Sequence, residues 1–494
     1  MDTVTNRPSI APPQGNSGPK RSLILAGGGM RVAYQAGVVR KLTDRGLRFD
    51  HIDGTSGGIF NLAMLLSGAT PTEMCTRWRT LPVHDFMSFL PFIDYVRSPH
   101  LPALGSADGL RDKVFPHLGI DVAQIRSATG LQGTFNVCNY TRKINEVIEH
   151  REVALDLLIA GVSLPIFLPV VSRGATLYMD SVWIRDANIP EAIRRGAEEI
   201  WLVWCIGNIS EYRNGPFNQY VHMIEIAANG RLFEDFEQLR VINAARSAAG
   251  ASPIRVHVIK PRYPLPLDPE YYLGEITGEE LVSMGYRDAA TYLREMDTDG
   301  VSLTPEATQM ELPPPRSRTL EILTAPSWDK VEATGEPGEA GSGIELRLVT
   351  EMYEAASAQP PDRIGRVCGA VSLPGLAPDL PIDGGDVVRS LPVDSLGYAI
   401  TYSSEFQSAD TRYLLEVHRR DDGRGGGSTV VADVSPVGDT AASRRAHLSE
   451  GLGDRIQSMD ALGVVTPASL LERMMARLSR WFRRPRESEH RPRR

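Results

Sequence analysis

The segment Gly54-Thr55-Ser56-Gly57-Gly58 constrains the fold more than any other stretch of the chain. It has the G-x-S-x-G pattern, in which a serine stands on a tight turn between a strand and a helix. Apolar Phe49 and Ile52 precede the turn, and the apolar run 59–66 follows it at helical spacing. A serine that only caps a helix does not need glycines on both sides, whereas a strained turn packed closely against its helix does. The pattern therefore predicts that Ser56 is an exposed nucleophile.

A second glycine cluster, Gly27-Gly28-Gly29, lies between an apolar, strand-like run at 22–26 and a predicted helix at 32–42. Consecutive glycines can point their backbone N–H groups into a shared anion pocket. The start of the helix after Ser56 adds further free N–H groups and a partial positive charge. Together these groups predict an oxyanion hole for acyl transfer at the serine. The candidate donors are Gly27, Gly28, Gly29 and Gly57.

The order of these motifs resembles the patatin-like phospholipase family, in which a G-G-G-x-R/K loop is followed by G-x-S-x-G. That family places its catalytic aspartate in a D-G-G or D-G-A motif after a stretch that contains serine and proline. Here residues 160–170 are similar to that stretch, and Tyr178-Met179-Asp180 follows it. Asn188-Ile189-Pro190 is similar to the family's N-x-P tail. The resemblance covers residues 21–264, and four motifs in the right order are more specific than any one of them.

The resemblance implies an α/β fold, namely a three-layer patatin-like domain with a mainly parallel sheet. The alternation of apolar strands and helices along the same residues favours such a sheet as well. The implied activity is that of a lipid acyl hydrolase, a serine carboxyl esterase that acts on phospholipid or another lipid ester through a dyad of Ser56 and Asp180. No metal and no cofactor is implied, and acyl transfer to another alcohol stays open. Arg31 is expected either to contact a phosphate headgroup or to hold the glycine loop through an ion pair.

The acid motif departs from the family pattern. Ser181 and Val182 stand where the family has glycines, and the Asn-Pro tail arrives as if two residues were inserted. Asp186-Ala187 is therefore a second candidate for the D-G-A position. The distance from the proline stretch favours Asp180, which leaves Asp186 as a solvated or capping carboxylate. Val32 replaces the glycine that usually follows the basic residue, which bears on the shape of the oxyanion loop.

Three other functions fit parts of the sequence. A Ser-His-Asp α/β-hydrolase would need a histidine after the acid, for which His222 and His257 are candidates. A dinucleotide-binding loop at Gly27-x-Gly29 would use Asp50 or Asp53 for the ribose, but it lacks the third glycine and leaves the serine motif unexplained. A non-catalytic interaction protein would keep the same fold, and the altered acid motif is the main support for that alternative.

Composition narrows the class of protein. Of 494 residues, 42% are hydrophobic and 23% charged, and the formal net charge of −8 argues against general nucleic-acid binding. The four cysteines form no CxxC or Cys/His cluster and are expected to be reduced, mostly buried thiols. Residues 1–20 contain no apolar signal-peptide core, and no apolar run reaches the length of a membrane span. We therefore expect a cytoplasmic protein that meets membranes peripherally at their inner face, with its oligomeric state open.

The length exceeds that of one ordinary core and favours two domains. Residues 1–20 are expected to be disordered, 21–295 to form the patatin-like domain and 296–343 to be a Pro- and Gly-rich linker. Strand-like alternation predicts a small β-rich domain at 344–437, without indicating its role. The aromatic stretch 83–109 is either an irregular segment that fills a core gap or an apolar cap over an acyl-chain groove.

The region 438–494 is expected to be helical and to end in a basic amphipathic helix. Within residues 466–494, apolar side chains such as Trp481 and Phe482 fall on one helical face and arginines on the other. This composition suits an interfacial helix that contacts an anionic membrane. A helix packed against its own protein fits the same pattern.

Overall fold

A computed structural model of the protein describes residues 10–12, 18–86, 88–89, 101–266, 276–312, 315, 317–326, 343–353, 362–389, 398–421, 428–439 and 443–450. The chain divides into two compact units, residues 1–314 and 315–494. Each unit has a hydrophobic core of its own. An α/β unit followed by a β-rich unit agrees with the predicted fold class.

The first unit is built on a mostly parallel sheet. Its described strands are β1 (Arg21–Leu25), β2 (His51–Thr55), β3 (Ser88–Phe89), β4 (Gly105–Ser106), β5 (Gln132–Asn139), β6 (Ile144–Glu149), β7 (Val171–Arg173), β8 (Thr176–Met179), β9 (Glu199–Val203) and β10 (Arg255–Ile259). Eight of them form one sheet in the order β10-β9-β1-β2-β5-β8-β7, with β6 also paired to β5. The strands from β10 to β5 in this order run parallel, whereas the pairs β5–β6, β5–β8 and β7–β8 are antiparallel.

Helices cover this sheet. Those described are α1 (Ala33–Asp44), α2 (Gly58–Leu66), α3 (Pro71–Thr80), α4 (Phe115–Leu118), α5 (Val122–Ser127), α6 (Leu155–Gly161), α7 (Ile189–Arg194), α8 (Pro216–Ala248) and α9 (Gly278–Glu295). On one face, Leu232 and Phe236 of α8 pack in a core that includes Ile24 of β1. Leu23 and Leu25, which alternate with Ile24 along the strand, are also fully buried, so both faces of the sheet are covered.

Helices α1 and α9 cross at two glycines. A Cβ atom at Gly37 would lie 2.0 Å from the carbonyl oxygen of Val282, and one at Gly285 would lie 1.9 Å from the carbonyl oxygen of Tyr34. Atoms that are not bonded do not approach so closely, so this crossing requires glycine at both positions. The crossing fixes α9 against the helix that follows the glycine loop.

The register of the sheet brings the predicted motifs together. Parallel pairing of β1 and β2 puts the glycine loop and the serine turn at neighbouring strand ends. Asn136 of β5 is level with Thr55 of β2, and Cys138 is level with Met179 of β8. The sheet is mainly parallel, as predicted, and Asp180 follows one of its antiparallel strands. The connection between β7 and β8 is a short hairpin, which cannot form the crossover that parallel strands need.

The second unit is a closed antiparallel barrel. Its strands are β11 (Ser317–Ala325), β12 (Ile344–Met352), β13 (Asp362–Ser372), β14 (Leu380–Arg389), β15 (Tyr398–Ser408), β16 (Thr411–Asp421), β17 (Ser428–Pro436) and β18 (Arg444–Glu450). Each strand pairs with the next, and β18 pairs with β11 to close the barrel. Alternate side chains form the interior core, which includes Leu346 and Val417. An ion pair of 2.8 Å between Arg419 and Glu321 is also buried.

The barrel extends beyond the β-rich domain predicted at 344–437. Strand β11 lies in the segment expected to be a linker, and β18 lies in the region expected to be helical. Both strands form because closure gives each a hydrogen-bonded neighbour on two sides, which local sequence pattern does not report. The start of the expected linker packs on the first unit instead, since the N–H groups of Val301 and Met310 donate to carbonyl oxygens of Val256 at 2.8 Å and Asn208 at 3.0 Å.

The structure also bears on the expectations for the N-terminal segment 1–20 and for the aromatic stretch 83–109. Ile10, in the segment expected to be disordered, is buried, and its carbonyl accepts the Phe49 N–H at 2.9 Å. This contact gives that part of the segment a fixed partner. Within the stretch 83–109, the ring of Phe86 is buried 5.8 Å from that of Phe60 and 6.2 Å from that of Trp78, so this residue fills the core.

Other predicted features lie outside the described residues. These are most of the N-terminal segment, residues 87 and 90–100 of the aromatic stretch, the Gly-rich stretch 327–342 and the basic tail 451–494. In the part of the chain that is described, no helix combines the length and apolarity needed to cross a bilayer. All four cysteines are buried and outside disulfides, as predicted.

Candidate active site

Ser56 occupies the turn between β2 and α2. Its φ angle of 51° is in the left-handed region that residues other than glycine rarely adopt. A Cβ atom at Gly58 would lie 2.0 Å from the carbonyl oxygen of Leu25, so glycine is needed where α2 starts against β1. The strained turn expected of a nucleophile is therefore present. The serine is not exposed as expected, however, because only 4% of it is accessible beneath the neighbouring loops.

Asp180 directly follows β8 and is fully buried. Its Oδ1 accepts the N–H of Val182 at 2.9 Å. Burial raises the pKa of Asp180 to about 7, although interactions with the Ser56 hydroxyl and the Val182 N–H act in the opposite direction. No hydrogen bond of ordinary length and angle reaches Oδ2 from the described part of the chain. The contact with Ser56 is thus longer or less aligned than a full hydrogen bond, as is common in free active sites.

The second candidate acid, Asp186, contacts the glycine loop. The Gly27 N–H donates to its Oδ1 at 2.8 Å, and a Cβ atom at Gly27 would lie 2.4 Å from that oxygen and 3.3 Å from Ser56 Oγ. Asp186 was expected to be a solvated or capping carboxylate. It is not solvated, because the acid loop folds back onto this glycine and buries it. Burial raises the pKa of Asp186 well above its usual range, and the nearby charge of Asp180 adds to that rise. Ionisation of one carboxyl group therefore disfavours ionisation of the other.

The structure separates the four candidate oxyanion donors. The N–H of Gly27 is used on Asp186. Gly29 has a φ angle of 59°, and a Cβ atom at Gly57 would lie 2.5 Å from the Gly29 carbonyl oxygen, so the two glycine motifs touch. Among the described residues, the N–H groups of Gly28, Gly29 and Gly57 have no hydrogen-bond partner. These three groups, rather than all four, are available to an anion.

Val32 and Asn61 hold the shape of the glycine loop. The side chain of Val32 packs against Gly57, where it would lie 2.7 Å from an added Cβ atom. The carbonyl of Val32 accepts Asn61 Nδ2 at 2.9 Å, and Asn61 Oδ1 accepts Trp78 Nε1 at 2.7 Å. The Val32 side chain and carbonyl therefore both help to fix the conformation of the glycine loop. Asn61 was not singled out from the sequence, where it is only a polar residue within an apolar helical run.

Arg31 lies half-buried at the edge of the loop. Its Nε donates to the carbonyl oxygen of Gly28 at 2.9 Å. Of the two expected roles, the structure has the one that holds the loop, but through a backbone carbonyl and not an ion pair. Contact with a headgroup stays a prediction.

A buried polar network joins β2 to the acid loop. Asp53 accepts hydrogen bonds from Thr134 Oγ1 and Asn136 Nδ2, both at 2.6 Å. Asn136 Oδ1 in turn accepts Asn188 Nδ2 at 2.7 Å and Asn145 Nδ2 at 2.9 Å. Burial raises the pKa of Asp53 to about 7, and its position inside the sheet removes it from any role in binding a ribose. The sequence carries no motif for this network, because its members are brought together only by strand register.

An aromatic wall, also not foreseen from the sequence, stands beside Asp180. The hydroxyl of Tyr220 in α8 donates to the carbonyl oxygen of Pro165 at 2.9 Å. The Tyr220 ring lies 5.6 Å from the rings of Phe167 and Trp183. Two residues before Pro165, the carbonyl of Ser163 accepts the Asp180 N–H at 3.1 Å. Burial raises the pKa of Tyr220, and the charge of Asp180 adds to that rise. Helix α8 and the proline stretch therefore meet beside the candidate acid.

The contacts described for the two candidate histidines run to residues outside the dyad. His222 Nδ1 lies 3.0 Å from Glu225 Oε2. His257 stacks on Trp201 with a centroid distance of 4.1 Å, and its Nδ1 lies 3.0 Å from the Tyr292 hydroxyl. Burial lowers the pKa of His257 to about 4. The geometry therefore does not favour a Ser-His-Asp arrangement.

A comparison with protein families agrees with this arrangement. Residues 23–193 match the model of the family described as patatin-like phospholipase. The first unit contains a patatin-like phospholipase domain. The match runs from β1 to α7 and so includes the glycine loop, the serine turn and the acid loop. The patatin-like domain supports lipid acyl hydrolysis at the level of the family. A search of curated proteins found no match to this chain.

Proposed function

We propose that the patatin-like domain is a serine carboxyl esterase that hydrolyses phospholipid or a similar lipid ester with a dyad of Ser56 and Asp180. The observation that carries this proposal is the strained, left-handed Ser56 beside a fully buried carboxyl group whose pKa is raised to about 7. A carboxylate with its usual pKa is a weak base, so a raised pKa makes Asp180 better suited to accept the serine proton. The substrate would be met at a membrane from the cytoplasmic side.

The proposed reaction has two steps. Ser56 Oγ attacks the ester carbonyl carbon while its proton moves to Asp180, and the oxyanion is held by N–H groups of Gly28, Gly29 and Gly57. Collapse of this intermediate breaks the ester bond, and the leaving alcohol takes the proton from Asp180. Water then attacks the acyl-serine with Asp180 again as base, which releases the carboxylic acid and returns the proton to Ser56. Gly27 is assigned to the support of the loop, because its N–H is already bonded to Asp186.

A fluorophosphonate reagent is expected to label the purified chain at Ser56. The reagent is soluble and reports an activated nucleophile without any requirement for a bilayer. Mass spectrometry of the labelled peptide identifies the residue, and Ser56→Ala is the control that should remain unlabelled. A folded protein that resists labelling would support the alternative of a non-catalytic patatin-fold interaction protein.

The rate of hydrolysis of a soluble short-chain ester is expected to rise with pH through about 7. Burial raises the pKa of Asp180 to about 7, and only its ionised form accepts a proton, so activity falls as pH decreases through that value. The measurement is kcat/KM between about pH 5 and pH 9, which reports groups of the free enzyme. Asp53 also has a pKa raised to about 7, so Asp53→Asn is the matched control. Loss of the transition in that variant would assign it to Asp53 and contradict the proposed base.

A further inference from the structure

The surface beside the dyad exposes a group of apolar side chains. Ile166 is 54% accessible, Met223 58% and Ile226 71%. Single exposed apolar residues are common, but contiguous groups mark a contact surface. We call the group the apolar rim, and it consists of Leu104, Ile166, Val170, Tyr212, Met223 and Ile226.

The rim is continuous with the candidate active site. The Leu104 N–H donates to the Ile166 carbonyl at 2.7 Å, which joins two of its segments. The next residue, Phe167, has its ring 5.6 Å from that of Tyr220, whose hydroxyl donates to the carbonyl oxygen of Pro165 at 2.9 Å. Two residues before Pro165, the carbonyl of Ser163 accepts the Asp180 N–H at 3.1 Å. Met223 follows Tyr220 by three residues, about one turn of helix α8.

The backbone at Ile166 is unusual in a way that favours a functional role. Its φ angle is 77°, and a β-branched residue in that region is a genuine outlier. Burial of this side chain contributes little to folding, because more than half of it remains in water. Strain held at an exposed apolar residue beside an active site is typical of a contact that forms with a ligand or partner.

The chemistry of the rim selects the partner. The segments 164–170 and 214–227 contain one formally charged residue, Glu225, which lies 3.0 Å from His222. Tyr212 stands between Glu211 and Arg213, which pair with each other at 3.3 Å and so offset each other's charge. The rim consists of aromatic and aliphatic side chains. It therefore offers few unpaired charges that could bind a highly charged partner. It suits the boundary between headgroups and acyl chains of a bilayer, where aromatic rings and apolar side chains are stabilised.

We propose that the apolar rim docks on a lipid bilayer and thereby delivers a lipid ester to Ser56. The choice of a lipid as partner rests on the proposed esterase function. Ser56 is buried, so a lipid that leaves the bilayer through this surface reaches the dyad without first crossing water. The docking is apolar, and its strength does not depend on anionic lipid or on ionic strength.

The test measures partition of the full chain onto phosphatidylcholine vesicles by co-sedimentation. All variants carry Ser56→Ala, so lipid is not consumed and the result is independent of catalysis. The double change Ile166→Ser and Met223→Ser is expected to lower the partition coefficient about tenfold, since two exposed apolar side chains no longer enter the bilayer. Val241→Ser is the matched control: Val241 is 72% accessible and lies on the same helix, about 27 Å farther along its axis.

A second measurement uses a fluorophore attached through Met223→Cys. The four native cysteines are buried, so the new thiol is the accessible one. Its emission is expected to shift to shorter wavelength on phosphatidylcholine vesicles, whereas the same label at Val241→Cys should not respond. This measurement does not use the Ile166→Ser and Met223→Ser changes, so a loss of stability in that double variant does not affect it.

Several outcomes would overturn the docking proposal. Absence of binding to phosphatidylcholine vesicles, equal loss of binding in the Val241 control, or binding seen only with anionic lipid at low salt would each do so. A change of oligomeric mass in the double variant, with partition unchanged, would show that a second copy of the chain covers the rim. Labelling of Ser56 by the soluble fluorophosphonate tests the esterase separately, so the two proposals can fail independently.

Discussion

Asp180→Asn is expected to lower kcat for hydrolysis of a soluble ester by about a thousandfold, with the fold intact. The amide is similar in shape to the carboxyl group and still offers an oxygen to the Val182 N–H, which Asp180 Oδ1 accepts at 2.9 Å. It cannot take a proton from Ser56, so the loss falls on the chemical step and not on folding or substrate binding. Steady-state kinetics with a short-chain ester, together with the thermal unfolding midpoint, separates these effects.

Asp186→Asn is the matched control for that substitution. Burial raises the pKa of Asp186 well above its usual range, and the charge of Asp180 adds to that rise, so a neutral side chain at this position is favoured relative to a charged one. Asparagine resembles the neutral acid and keeps an oxygen for the Gly27 N–H, so activity should be largely retained. Asp186→Ala removes that acceptor and releases the loop, and we expect kcat to fall about tenfold to a hundredfold through poorer support of the oxyanion donors.

The opposite pattern would show that the acid motif is wrongly aligned. If Asp186→Asn abolished activity and Asp180→Asn did not, Asp186 would be the base, since it too lies near Ser56. Equal loss in both variants would indicate that the two carboxyl groups act as one titrating unit.

Gly285→Ala is expected to destabilise the first unit by about 2 kcal/mol or more. The added Cβ atom would lie 1.9 Å from the carbonyl oxygen of Tyr34, and relief requires that α1 and α9 move apart. Gly230→Ala, within helix α8, is the matched control because nothing lies within 4 Å of its added Cβ atom. There the usual preference of a helix for alanine should stabilise the unit by about 1 kcal/mol.

The measurement is the midpoint of urea unfolding for the two variants and the parent chain. Because both changes replace a glycine inside a helix, their difference isolates the cost of the crossing from helix propensity. Equal midpoints would mean that α1 and α9 are not packed as closely as the structure has them.

Local sequence patterns predicted many of the secondary-structure elements of the first unit. The glycines around Ser56 predicted a strand, a strained turn and a helix, and all three are present. The continuous apolar run at 200–206 is typical of a buried parallel strand, and β9 forms at its start. These features depend on neighbours in the chain, so a sequence read in order reveals them.

The barrel was harder to predict for a physical reason. Strands β15, β16 and β17 have enough alternation to be recognised, but β11 and β18 join residues more than 120 positions apart. Their pairing follows from closure of the barrel, in which each edge is satisfied by a distant strand. Local propensity does not encode that distance.

The sequence by itself determined the patatin-like motifs of the first unit, the strained serine and the identity of the residues in the glycine loop and acid loop, because each is a short motif whose chemistry depends on adjacent residues. Tertiary structure decided how those residues are used. It buried Asp186 against Gly27, placed Asn136 between β2 and the acid loop, and packed Tyr220 of α8 against Trp183 of the acid loop. Burial and strand register act between residues far apart in the chain, and it is these that raise the pKa values and assign the backbone donors.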